Sequence, residues 1–201
     1  PAFEGQLRAP GMRTRAEYQV DVLTEDLRSP WAVAALPDGR LDITQKDGTL
    51  RIYSHQTGLS PAITGFPEVA SDGQGGLLDL APAPDFETSR LLYFSFSQPL
   101  PGGAVTALGR GRLADDEAKL EGAELLFQAL PVTGGGGHFG SRIVFADANT
   151  LFLSTGDRQH SQTRMNAQDP GTGWGKILRL DLLGQPAPGN PFLETPGAMG
   201  G

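Results

Sequence analysis

Leu36-Pro37-Asp38-Gly39-Arg40-Leu41-Asp42-Ile43-Thr44-Gln45-Lys46-Asp47-Gly48-Thr49-Leu50-Arg51-Ile52-Tyr53 decides the fold. Two short runs, Leu41–Thr44 and Thr49–Tyr53, are bounded by Pro37-Asp38-Gly39 and Lys46-Asp47-Gly48. Asp-Gly between short strands is a hairpin signal, because glycine accepts the positive φ of a tight turn. With Trp31–Leu36 upstream, the segment reads as an antiparallel meander. Tyr18, Val20 and Val22 alternate with polar residues and predict a half-buried strand before it.

The unit recurs. Leu77–Ala81, a turn near Pro84-Asp85, Leu91–Ser97, Thr106–Leu113 and Glu124–Phe127 form a second set. Ser141–Phe145, a turn at Asp147-Ala148-Asn149, Leu151–Thr155 and Gly175–Leu182 form a third. The turn aspartates Asp38, Asp85 and Asp147 stand 47 and 62 residues apart, the longer interval holding a loop insertion over Asp157–Trp174. A repeat of roughly 40–50 residues with about four strands is the pattern of a propeller blade. The fold class is therefore all-β, a partial β-propeller of about three blades. The alternative is a β-sandwich with irregular loops, which the matched turns disfavour. The boundaries expected are an N-terminal segment and strand over 1–26, then blade units over 27–70, 71–130 and 131–201.

Composition agrees and excludes several functions. The 201 residues include 28 Gly and 16 Pro, too many turn formers for a helical bundle, while 38% hydrophobic residues argue against low complexity. The net charge of −7, with no Lys/Arg cluster, excludes nucleic acid and anionic membrane surfaces as expected partners. No apolar run approaches the roughly 20 residues of a membrane span. With no cysteine there is no disulfide, thiolate metal site or Cys nucleophile. The chain starts at Pro1; a removed signal peptide and a trimmed fragment both give such a start.

Familiar catalytic motifs fail. Gly171-Thr172-Gly173-Trp174-Gly175-Lys176 resembles a phosphate loop, but Pro170 and Ile177 stand where Gly and Ser/Thr are required, and a strand follows, not a helix. Neither a Gly-x-Ser-x-Gly elbow nor a paired-His zinc motif is present. The informative stretch is Gly134-Gly135-Gly136-Gly137-His138-Phe139-Gly140-Ser141-Arg142. His138, at the end of a glycine run and the start of a strand, is placed either as a general base or as a turn histidine. Asp157, in Ser154-Thr155-Gly156-Asp157-Arg158, leaves the neighbouring strand of the same unit. It either orients His138, a recurring device, or caps a turn and pairs with Arg158. Gln74, in Ser71-Asp72-Gly73-Gln74-Gly75-Gly76-Leu77, occupies the place equivalent to His138 in the preceding unit and offers a donor and an acceptor to the same cavity. His55 and His160 lie in polar loops and are expected to be exposed.

At these segments the chain resembles the soluble quinoprotein glucose/sorbosone dehydrogenases, also called aldose sugar dehydrogenases. The resemblance rests on Ser29-Pro30-Trp31, Leu36-Pro37-Asp38-Gly39-Arg40, Gly73-Gln74-Gly75-Gly76-Leu77-Leu78-Asp79 and Pro84-Asp85-Phe86. Further on it rests on Gly137-His138-Phe139-Gly140-Ser141-Arg142, Gly156-Asp157-Arg158, Ala167-Gln168-Asp169, Gly175-Lys176-Ile177 and Asn190-Pro191-Phe192. These occur in family order over most of Leu27–Phe192, and Pro1–Pro10 resembles the mature start of some members.

The resemblance implies a six-bladed propeller that binds pyrroloquinoline quinone (PQQ) and calcium. Such an enzyme oxidises the anomeric carbon of an aldose to a lactone, passes electrons to an external acceptor, and is periplasmic or secreted. It implies that His138 is the catalytic base in contact with PQQ, that Asp157 orients it, and that Gln74 and Gln162 contact substrate. Members continue past the Gly201 position into three more blades. The remaining PQQ contacts and all calcium ligands are therefore expected outside this chain, no metal site within it, and no activity from it alone. One branch has an acidic residue where Gly137 stands. Asp42 falls where members have an apolar residue, a position that costs stability if the carboxyl is buried unpaired. Two other functions fit a propeller: a non-enzymatic binding module that has lost the quinone, and a calcium-dependent hydrolase or lactonase. The scarcity of channel-side carboxylates weakens the latter.

Overall fold

The computed structural model describes residues 4–5, 11–13 and 15–200; most of Pro1–Pro10, with its likeness to a mature start, lies outside the described residues. Three antiparallel sheets follow one another along the chain. The first is β1 (Pro30–Ala35), β2 (Leu41–Gln45), β3 (Thr49–Ser54) and β4 (Gly58–Leu59), paired in that order. The second is β5 (Leu77–Pro82), β6 (Leu91–Leu100), β7 (Gly103–Leu113) and β8 (Leu120–Gln128). The third is β9 (Gly140–Phe145), β10 (Thr150–Thr155) and β11 (Ile177–Asp181).

The hairpins form where the turn residues ask for them. Gly39 and Gly48 sit at φ 85° and 92°. Asp38, Asp47 and Asp147 each accept, through Oδ1, the backbone N–H two residues on, the local turn bond that this side chain makes. Asp85 behaves differently: its backbone carbonyl starts a single helical turn, Phe86–Ser89, which left-handed Arg90 ends.

One expectation fails. Tyr18, Val20 and Val22 are exposed and form no strand. Alternation supplies a strand with two faces, but a strand also needs a hydrogen-bonded neighbour, and this segment has none among the described residues.

The first strands, β1, β5 and β9, lie together, with β5 against both of the others. The sheets fan outward from them and bury a core at each junction. Leu50, Ile52, Leu80, Phe94 and Phe96 fill the first; Tyr93, Leu108, Ile143, Leu151 and Leu178 fill the second. Each such side chain contributes about 1.5–3 kcal/mol by leaving water. The middle sheet is thus covered on both faces, which two face-packed sheets cannot provide.

Polar latches set the sheets in register near the inner strands. Thr44 Oγ1 donates to Leu78 O at 2.6 Å, Ser95 Oγ to Ser141 O at 2.7 Å, and Thr106 Oγ1 to Phe139 O at 2.6 Å. Buried Asp79 accepts from the Ile143 N–H and from Arg142, both at 2.6 Å, while the Arg142 guanidinium lies over Trp31. Three strands from three sheets meet at that arginine. No helix among the described residues is long and apolar enough to cross a membrane.

Candidate active site

The loops before β5, before β9 and after β10 meet at one end of the sheets. Backbone must approach backbone closely there, and two glycines permit it. A Cβ at Gly156 would lie 2.0 Å from His138 O, and one at Gly73 would lie 2.4 Å from Gly136 O. Through the first approach Gly156 N–H donates to Phe139 O. Through the second, Gln74 N–H donates to Gly136 O at 2.6 Å.

His138 stands at this junction with left-handed backbone, φ 48°. Its Nδ1 is 2.6 Å from Asp157 Oδ1, and the same oxygen accepts the Gln159 N–H at 2.9 Å. The Gln159 amide, then the His138 ring, hold the Asp157 carboxyl below its ordinary range. An ionised carboxylate only accepts hydrogen bonds, so Nδ1 carries the hydrogen, and in the matching neutral tautomer the lone pair lies at Nε2. The His138 side chain is 47% exposed, and its Nε2 has no hydrogen-bond partner among the described residues. Asp157 caps its own turn through the Gln159 N–H and lies against the His138 ring, and it does not pair with Arg158.

Gln74 comes to the same point in an unexpected way. Its Oε1 accepts the His138 backbone N–H at 2.8 Å, which ties the side chain to the loop that carries the histidine. Gln162 is exposed; its backbone N–H donates to His160 Nδ1, and no hydrogen bond joins its side chain to His138, Asp157 or Gln74. The loop carrying it runs into the 3₁₀ turn Arg164–Gln168, which directs it along the surface. His55 and His160 are exposed, as their polar loops suggest.

Sequence reasoning missed the part played by Arg158. Its side chain turns inward, lies over Phe139, and donates to Gly135 O and Gly137 O. Among the described residues no three His, Asp or Glu side chains are placed to hold a metal ion. A cleft of about 300 Å³ runs beside the glycine loop, lined by Ala70, Asp72, Gly103, Gly136 and Phe139 among others.

Residues 27–200 match the family model for glucose/sorbosone dehydrogenase. The chain belongs to that family. Aldose sugar dehydrogenase YliI of Escherichia coli K12 is 40% identical over 185 residues, covering 91% of this chain and 49% of that protein. A crystal structure of glucose dehydrogenase is 41% identical with a TM-score of 0.84, covering 90% of this chain and 52% of that one. The PQQ-bound form of aldose sugar dehydrogenase from Streptomyces coelicolor is 29% identical with a TM-score of 0.75, covering 89% of this chain and 51% of that one. The chain spans about half the length of the curated relatives it matches. Its three sheets are accordingly blades of a partial glucose/sorbosone dehydrogenase propeller, and the His138–Asp157 rim lies within the matched residues.

Proposed function

We propose that this chain carries the proton-abstracting side of the active site of a PQQ-dependent aldose dehydrogenase, which oxidises the anomeric carbon of a sugar to a lactone and passes electrons to an external acceptor. The observation that carries the reading is the His138–Asp157 couple: a ring fixed at Nδ1, open at Nε2, and mounted where the inner strands begin.

The fit to the cofactor is to its reacting edge. PQQ is a planar tricarboxylate, and its charges call for free cations. Among the basic groups around the rim, Lys46 Nζ donates to Gly73 O at 2.5 Å, Arg142 pairs with Asp79 and Arg158 holds two carbonyls, while Arg164 is exposed with its Nε 3.9 Å from Asp157 Oδ2. We place most partners of the carboxylates, and the calcium ligands with them, outside this chain, as the family resemblance implies. When bound, PQQ would supply the acceptor for the hydride leaving C1, a task no side chain performs.

The chain's own residues do the rest. As the C1–H bond breaks with its electron pair, His138 Nε2 takes the proton of the C1 hydroxyl, and C1=O forms. The Asp157 carboxylate stabilises the resulting imidazolium and fixes the ring. The Gln74 amide nitrogen donates to a sugar oxygen. Gln162, exposed on the loop after β10, is the second substrate contact of this reading. An exported location belongs to the same proposal.

The test uses the whole protein loaded with PQQ and calcium, an aldose and a dye acceptor. His138→Ala should lower turnover by about 10²–10⁴-fold, the usual worth of a general base, with PQQ retention little changed. Near-normal turnover in this variant would remove the assignment. The 201-residue chain alone should oxidise no sugar under the same conditions.

A further inference from the structure

Left-handed backbone is concentrated at the rim. Seven non-glycine residues among those described have positive φ, and four of them, His138, Ser141, Arg158 and Gln159, lie around the loop junction. A side chain with a Cβ is disfavoured in this region, so the surroundings must hold each such residue.

Arg158 is 1% exposed, the only buried Lys or Arg among the described residues. No carboxylate meets it. Instead its guanidinium lies over the Phe139 ring, 3.5 Å from the centroid, with Nη1 donating to Gly137 O at 2.8 Å and Nη2 to Gly135 O at 2.6 Å. Nε has no partner, and burial pulls the guanidinium down to about 10. An unpaired buried cation is a costly way to fill a core. What it holds explains it. Gly137 O belongs to the peptide bond whose N–H is that of His138, and that N–H is gripped by Gln74 Oε1. The Gly137–His138 peptide is therefore clamped at both ends, by Arg158 from the loop after β10 and by Gln74 from the loop leading into the second sheet. Its plane sets φ of His138, and φ decides whether the ring reaches Asp157.

We propose that Arg158 is a positioning residue: with Gln74 it locks the Gly137–His138 peptide so that the imidazole meets Asp157 at Nδ1 and faces substrate at Nε2. The part of this that concerns substrate rests on the base reading above. Only arginine serves, because the planar fork stacks on Phe139 while reaching two carbonyls; a lysine keeps the charge and loses that geometry.

The test has two readouts in the whole protein. The first is the His138 Nδ1–H signal in ¹H–¹⁵N spectra of the cofactor-free protein, assigned by its disappearance in His138→Ala. The second is kcat against KM with sugar and dye acceptor. Arg158→Lys should erase or broaden the Nδ1–H signal and lower kcat about 10²-fold, the loss expected of a misplaced catalytic group, with KM little changed. A folded Arg158→Lys protein with an unaltered signal overturns the proposal. So does one that merely melts earlier while its folded fraction keeps normal kcat. If Arg158→Lys does not fold, Phe139→Leu removes the stacking face and keeps the carbonyl bonds; loss of the signal there supports the clamp, and an unaltered signal refutes it. If even the unaltered protein oxidises no sugar, the imidazole signal still decides the clamp, and only the base reading falls.

Discussion

The two ends of the sheets treat charge in opposite ways. At the rim, His138 and Asp157 are half open, and main-chain groups hold both of them: Gln159 N–H on Asp157, and the clamped peptide on His138. At the far end, where the β1–β2 and β7–β8 turns lie, Glu117 accepts from Arg40 Nη1 and Nη2 at 2.6 and 2.8 Å and from Arg90 Nη2 at 3.2 Å. Beside this closed network Asp42 is 1% exposed, and neither of its oxygens has a partner. Burial, then the Glu117 charge, pushes Asp42 up to about 7. A displaced carboxyl is often taken as the mark of an active site, but here it sits at the wrong end. What distinguishes the rim is access together with backbone-fixed orientation.

The sharpest way to break this contrast is at Asp157. Asp157→Ala removes both the orientation and the charge, and turnover should fall by most of the general-base factor of about 10²–10⁴. Asp157→Asn is a gentler case, because His138 and Gln159 both donate to Oδ1. An asparagine carbonyl placed there satisfies both donors and keeps the tautomer. Only the charge is lost, a difference of about 1 kcal/mol between charged and neutral hydrogen bonds, so a fall of about 5-fold is expected. Equal losses in the two variants, measured as kcat, would show that charge and not orientation dominates.

The far end should yield a pH effect. The unfolded Asp42 carboxyl titrates near 3.8 and the folded one near 7. Between these values the folded protein binds the extra proton, so Asp42 makes stability fall as pH rises from about 4 to about 7, with no further change above. Asp42→Asn removes that slope. It should match the unaltered protein near pH 4 and exceed it above pH 7, by at most on the order of 4 kcal/mol. Denaturant midpoints across pH check this, and parallel curves for the two proteins would refute it.

Much of this was legible in the sequence, and the exceptions have physical causes. Asp-Gly turns fixed β2 and β3 to within a residue, because a hairpin is a local structure. Asp42 was legible as a misfit in its strand, and it is an orphan in the core. The Tyr18–Val22 alternation misled because pattern specifies faces and not neighbours. His138 and Asp157 could be brought together on paper because one hairpin separates them. Gln74 could be brought to the rim by its equivalence to His138, but the bond of its oxygen to a backbone 64 positions away is one that no local pattern encodes. Arg158 was invisible for a similar reason: its inward direction depends on a left-handed φ of 64°, set by the loop it helps to hold.

The smallest effect expected concerns how the two far-end carboxyls feel each other. Arg40 first, and Arg90 after it, hold the Glu117 carboxyl below its ordinary 4.5. Its contribution to stability is therefore present above pH 4.5 and lost as pH falls, the reverse of the Asp42 slope. Glu117→Gln keeps the shape and removes the charge. The Arg40 pair is bidentate, the Arg90 pair is a single bond, and both are partly exposed, so the variant should lose about 1–2 kcal/mol at neutral pH. It should also free Arg40 and Arg90 of their shared anion while removing a negative charge near Asp42. Both changes favour the ionised Asp42, whose titration, followed by carboxyl ¹³C shifts, should move down from its position near 7. An Asp42 titration that stays in place would mean that burial alone sets it, and that the Arg40–Glu117–Arg90 network closes the sheet junction without reaching the carboxyl beside it.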